Sequence, residues 1–126
     1  MVFMLGCSQS SNRRALEGTV TFDGKALEEG AIVFTPKSGT QGPVAGGDIS
    51  RGHFSIPPSG GPFSGEFRVE ITATRKTGRK ITDPRNGQLY DEKEQFIPPR
   101  YNRQSELTAK VNEQEASNFE FALLKQ

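Results

Sequence analysis

The chain has 126 residues, enough for one domain with a modest core, and 33% of them are hydrophobic. Lys and Arg number 16 against 15 Asp and Glu, a formal charge of +1 that excludes the broad positive field of a nucleic-acid binder. A single cysteine excludes an internal disulfide, and with a single histidine the chain is too poor in sulfur and imidazole for a zinc site, so neither metal nor cofactor is expected.

The first segment is apolar, Met1 to Leu5, followed by Gly6, Cys7 and a polar run from Ser8 to Asn12. From Glu17 onward the periodicity is two, the period of a half-buried strand. Glu17–Phe22 alternates Gly18, Val20 and Phe22 against Thr19 and Thr21, and Asp23-Gly24 supplies a tight turn. Gly30–Thr35 is a second strand, stopped by Pro36, and Lys37–Gly42 is loop. Val44–Ser50 is a weak strand turned at Arg51-Gly52, and His53–Ile56 alternates again with Phe54 and Ile56 on one face. Glu66–Thr74 has the clearest pattern: Phe67, Val69, Ile71 and Ala73 inward, Arg68, Glu70, Thr72 and Thr74 outward. Arg75–Arg103 breaks the rhythm and is expected to be a long charged loop or crossover that packs Phe96, Ile97 and Tyr101 over an open edge. Strands return in Glu106–Val111 and Ser117–Leu123, with Asn112–Ala116 between them as a hairpin-type loop.

Seven short strands separated by turn signals, without a helical stripe, predict an all-β Ig-like or transthyretin-like sandwich with Greek-key connections. The long charged insertion falls before the last two strands. The predicted core is Val20, Phe22, Ile32, Phe34, Phe54, Ile56, Phe67, Val69, Ile71, Leu107, Val111, Phe119, Phe121 and Leu123.

Two resemblances follow from these stretches. Met4-Leu5-Gly6-Cys7 resembles the lipobox of bacterial lipoproteins, which implies cleavage before Cys7 and acylation of its thiol as a membrane anchor. On that expectation residues 1–16 are residual signal and tether, 17–124 are the domain with 75–104 as its loop, and the body lies outside the cytoplasm. The competing reading is a plain terminal tail. Gly18–Phe34, Gly52–Ile56, Gly61–Ile71 and Ile97–Asn102 with Leu107–Val111 together resemble the carboxypeptidase regulatory-like domains of the transthyretin-like sandwiches. That resemblance implies a non-catalytic folding or binding module. It carries over only the turn at Asp23-Gly24 and the strand-opening glycines Gly52 and Gly65.

Catalytic motifs are absent from the sequence: there is no G-x-S-x-G, no P-loop and no G-x-G-x-x-G. Alternation puts His53 opposite Phe54, on the solvent side. Asp83, Asp91, Glu92 and Glu94 lack calcium-loop spacing and are expected to pair with Lys80, Arg85 and Lys93. The candidate binding residues lie in the insertion: Arg75, Lys76, Arg79 and Lys80 as a cationic cluster, with Tyr90 and Tyr101 for stacking. The expected function is therefore a non-catalytic envelope lipoprotein module. Its expected partners are the membrane through Cys7 and an envelope protein or polysaccharide. The alternative is an accessory protein that binds a glycan or peptide through 75–103 or an edge strand.

Overall fold

The computed structural model describes residues 13–112 and 117–125. Their strands are β1 (Leu16–Phe22), β2 (Lys25–Ala26), β3 (Glu29–Pro36), β4 (Ala45–Ser50), β5 (His53–Ile56), β6 (Gly65–Thr72), β7 (Thr74–Thr82), β8 (Leu89–Gln95), β9 (Thr108–Val111) and β10 (Ser117–Leu123). Short 3-10 turns at Pro58–Gly60 and Pro99–Tyr101 complete the elements.

The seven stretches read from alternation all form strands, and they share one sheet in the order β10-β1-β5-β4-β3-β6-β9, with β2 hydrogen-bonded to β1. Strands β3, β4 and β5 are consecutive neighbours and β6 returns beside β3, which is the Greek-key order. β1 and β10 run parallel, and the remaining pairs of this sheet are antiparallel. The sheet curls on itself. Phe34 of β3 packs 6.0 Å from Phe54 of β5 and 5.9 Å from Phe119 of β10, so the β10-β1-β5 part faces the β3-β6-β9 part across one core. The fold is all-β and sandwich-like, with β4 at the corner.

Alternation selects the core. Val20, Ile32, Phe34, Phe67, Val69 and Ile71 are fully excluded from solvent, each contributing roughly 1.5–3 kcal/mol relative to exposure. Phe22, Leu107 and Phe119 are only partly buried at the margin. Leu16, Leu27, Ile49 and Ile97 also join the core. Three of these sit next to a turn or in a segment without alternation, where periodicity carries no information. Both two-residue turns have left-handed central residues, Asp23 (φ 52°) with Gly24 (φ 84°) and Arg51 (φ 54°) with Gly52 (φ 81°). That conformation matches the twist of the flanking strands and suits glycine at the second position.

The structure corrects the expected connectivity in three places. Asn112–Ala116 does not close a hairpin: β9 pairs with β6 and β10 with β1, at opposite ends of the sheet. Turn-forming residues signal a change of direction but do not choose the partner strand; residues 113–116 themselves lie outside the described residues. Arg75–Arg103 is not a plain loop. β6 ends at Thr72, and the chain passes directly into β7, which pairs with β8 as a separate two-stranded ribbon. Finally, the ordered body starts before Glu17. Leu16 opens β1 with no exposed surface, the Arg14 N–H donates to the Pro62 carbonyl at 2.8 Å, and Arg13 Nε donates to the Gly61 carbonyl at 2.9 Å.

These pairings define two poles. Leu16 lies level with Ile56 and Ser117, beside the Pro57–Pro62 loop, where the chain enters the body. Six residues further along β1, about 20 Å away, Phe22 lies level with Lys25 and Leu123. Phe22 also packs edge-on to Phe96, 5.5 Å away, at the base of the ribbon. The ribbon therefore springs from the pole opposite the one where the N-terminal segment enters.

Candidate functional site: the ribbon and the grooves at its base

No residue of β7 or β8 is buried. An isolated two-stranded ribbon is marginal in water, so its ends must be held. At the tip, the Asp83 carboxylate accepts the Arg85 N–H at 2.8 Å, and the Asp83 carbonyl accepts the Gly87 N–H at 2.7 Å. At the base, Gln95 Oε1 accepts the N–H groups of Ala73 (3.0 Å) and Ile97 (3.1 Å), and Phe96 N–H donates to the Ala73 carbonyl. Tip and base thus use side-chain hydrogen bonds where burial is missing.

The segment after β8 is anchored by polar contacts onto β6. Arg68, expected to face solvent, directs its guanidinium to the carbonyls of Ser105 (3.1 Å), Asn102 (3.1 Å) and Arg103 (3.0 Å), and pairs with Glu70 at 2.8 Å. Asn102 Nδ2 donates toward the carbonyls of Ile71 (3.2 Å), Ile97 (3.3 Å) and Pro98 (3.2 Å). The buried Ser105 hydroxyl donates to the Val69 carbonyl and accepts the Leu107 N–H at 3.1 Å. Strand alternation cannot reveal such anchors, because their partners are carbonyls remote in sequence.

The six candidate residues do not form one patch. Lys76 and Lys80 both pair with Asp91, at 3.1 and 3.0 Å, and Arg79 pairs with Glu92 at 3.5 Å. Hydrogen bonds from Lys80 and then Lys76 hold the Asp91 carboxyl below its ordinary value. At the tip, Arg85 does the same to Asp83, through its side chain and then its backbone. Tyr90, 49% exposed, sits with Leu89, 64% exposed, near the tip. Tyr101 serves the fold: its hydroxyl accepts the Leu124 N–H at 3.0 Å, and the Arg100 guanidinium lies 4.7 Å over its ring. His53 is exposed, as alternation places it. Cys7 lies outside the described residues. Among the described residues, no group of three or more His, Cys, Asp or Glu is placed to hold a metal ion.

Arg75 differs from its neighbours. Among the described residues it has no carboxylate partner within 4 Å; its guanidinium lies 4.9 Å over the Phe96 ring. It borders a groove of about 370 Å³ whose lining includes Phe22, Ala26, Leu27, Phe96, a second cation, Lys25, and two acids, Glu28 and Glu29. A second groove of about 620 Å³ adjoins it; its lining mixes Asp48, Ser50, Thr72 and Gln95 with Ala31, Ile49 and Ala73. Glu29 and Thr74 line both grooves and form a common rib. The sequence does not show these grooves, since β2, β3, β4, β6 and the ribbon base meet there only in the folded chain.

No family model matches the chain, and no curated protein matches it. Among solved structures, the chain is similar to a DUF3823 family protein from Parabacteroides merdae, with a TM-score of 0.45 and 15% identity over 88% of this chain. It is also similar to a 9R-lipoxygenase from Cyanothece PCC8801, with a TM-score of 0.41 and 14% identity over 97% of this chain. The chain spans 45% of the first protein's length and 18% of the second's.

Proposed function

We propose that this chain is a non-catalytic module of the carboxypeptidase regulatory-like, transthyretin-like kind, acylated at Cys7 and held on a membrane outside the cytoplasm, with a binding role at the ribbon pole. The observation that carries this reading is the opposition of the two poles. Six backbone steps separate Cys7 from Arg13, a reach of at most about 20 Å. An anchor at Cys7 keeps the entry pole near the bilayer and turns the ribbon base, with its grooves, toward the space beyond.

The reading is tested by expressing the native gene in a bacterial host, fractionating the cells and measuring the intact mass of the product. Membrane retention with acyl mass on Cys7, lost in Cys7→Ala, is the expected result. A soluble, unacylated product that retains Met1 overturns the anchor.

The second reading, an accessory binding protein for a glycan or peptide, is favoured by Arg75. A guanidinium left without an acid partner over an aromatic ring, beside an apolar groove, suits a charged peptide group better than a neutral sugar.

A further inference from the structure

We infer that the two grooves at the ribbon base together form a binding site for the carboxyl-terminal end of an extended peptide, with an apolar last residue and a basic residue upstream. This rests on the binding-module reading above and names its ligand.

The carboxylate is assigned from Arg75. A guanidinium stacked on a ring keeps its edge N–H groups free, and that edge matches a carboxylate in bidentate fashion. Phe96 fixes the plane of the group at 4.9 Å, and Phe22 fixes Phe96 edge-on at 5.5 Å. The three neighbouring ribbon cations already have acid partners, whereas Arg75 stacks on Phe96 and Lys25 pairs along the strand with Phe22, so the two cations of this lining flank the aromatic pair; its two acids are Glu29, at the rib shared with the second groove, and Glu28 next to it. The apolar last residue is assigned from the surfaces of Phe22, Ala26, Leu27 and Phe96 in the same groove.

The direction of the peptide follows from the adjoining groove. Its lining carries Glu29 and Asp48 and no cation, so it favours a basic side chain or an N–H-rich backbone. Ser50, Thr72, Thr74 and Gln95 add polar contacts there. The two carboxylates of that groove suit the charged head of a basic side chain, and Ala31, Ile49 and Ala73 beside them suit its methylene stem. The common rib at Glu29 and Thr74 makes the two grooves contiguous, and a strand-like peptide advances about 3.3 Å per residue across it.

The test titrates the purified full-length chain with N-acetyl-Lys-Lys-Gly-Phe carrying a free carboxyl terminus, by calorimetry. Amidation of the peptide terminus is expected to weaken binding by about tenfold or more, and Arg75→Ala by a similar factor. Combining the two changes is expected to cost no more than either alone, because both remove the same contact. Replacing the peptide lysines by glycine is expected to weaken binding, and Asp48→Asn to abolish that lysine preference. Lys93→Ala, a ribbon cation outside both linings, is expected to leave affinity unchanged. Unaltered thermal melting of Arg75→Ala separates loss of a contact from loss of fold.

Absence of binding at about 1 mM peptide by a folded protein overturns the site, as does equal affinity for acid and amide. Arg75-dependent binding of sodium dodecanoate without binding of the peptide overturns the peptide as occupant. Cell fractionation decides the anchor separately, so failure here leaves the anchored module standing.

Discussion

At the scale of single residues, polar anchors and one tight approach hold the fold where apolar packing does not. Asn102 offers one amide group to three carbonyls of the segment after β8 and of β6. Asn102→Ala leaves those acceptors without a donor and is expected to cost about 2 kcal/mol in urea denaturation. Asn102→Asp is expected to cost more, because it aims a negative oxygen at the same carbonyls; equal effects of Ala and Asp would show that the amide is not donating there. Gly18 answers a steric requirement. A Cβ at that position would lie 2.2 Å from the Phe119 carbonyl and 2.9 Å from the Phe54 ring. Gly18→Ala is therefore expected to destabilise by about 3 kcal/mol, read as a shift in denaturation midpoint. The glycine was visible in the alternating pattern of β1; the parallel neighbour that forbids a side chain there was not.

At the scale of elements, the ribbon is a strand pair without a buried face, stabilised by cross-strand charges and by its turn. The Asp91 carboxyl titrates below its ordinary value of 3.8 because Lys80 and Lys76 bond its charged form. Its folded pKa is thus lower than its unfolded one. The contribution is fully present above 3.8 and is lost as pH falls through the lower, folded value. Amide exchange of β7 and β8 is expected to rise in that acid range, and Asp91→Asn is expected to produce faster exchange already at neutral pH. High salt is expected to narrow the difference, since the pairs are exposed. Unchanged ribbon exchange in Asp91→Asn would assign its order to the turn and base contacts instead. Periodicity could not have identified this element, because neither face is apolar. The turn run Asp83-Pro84-Arg85-Asn86-Gly87 was its legible signal.

At the scale of the whole molecule, the sandwich and the ribbon are energetically unequal. The core lies between the two halves of the curled sheet and includes Leu16 and Ile97, while the ribbon residues are exposed or at most partly buried. Replacing Lys76–Lys93 by a short Gly-Ser turn is expected to move the melting temperature by only a few degrees. Compared with a chain beginning at Arg13, one beginning at Glu17 lacks Leu16 and the ties to Gly61 and Pro62, and is expected to lose about 3 kcal/mol or more. Equal melting of these two chains would remove Leu16 and its neighbours from the folded body.

The sequence alone determined the all-β class, the seven sheet strands, the Asp23-Gly24 and Arg51-Gly52 turns and most of the core. Those features depend on near neighbours: alternation sorts a strand's two faces, and a left-handed turn needs glycine within two positions. Strand partnership, the pairing of Lys76, Arg79 and Lys80 with acids, the stacking of Arg75 on Phe96 and the grooves at the ribbon base were decided by the tertiary structure. Each of them joins residues far apart in the chain. Such contacts depend on which edges the curled sheet brings together, and local patterning carries no record of that.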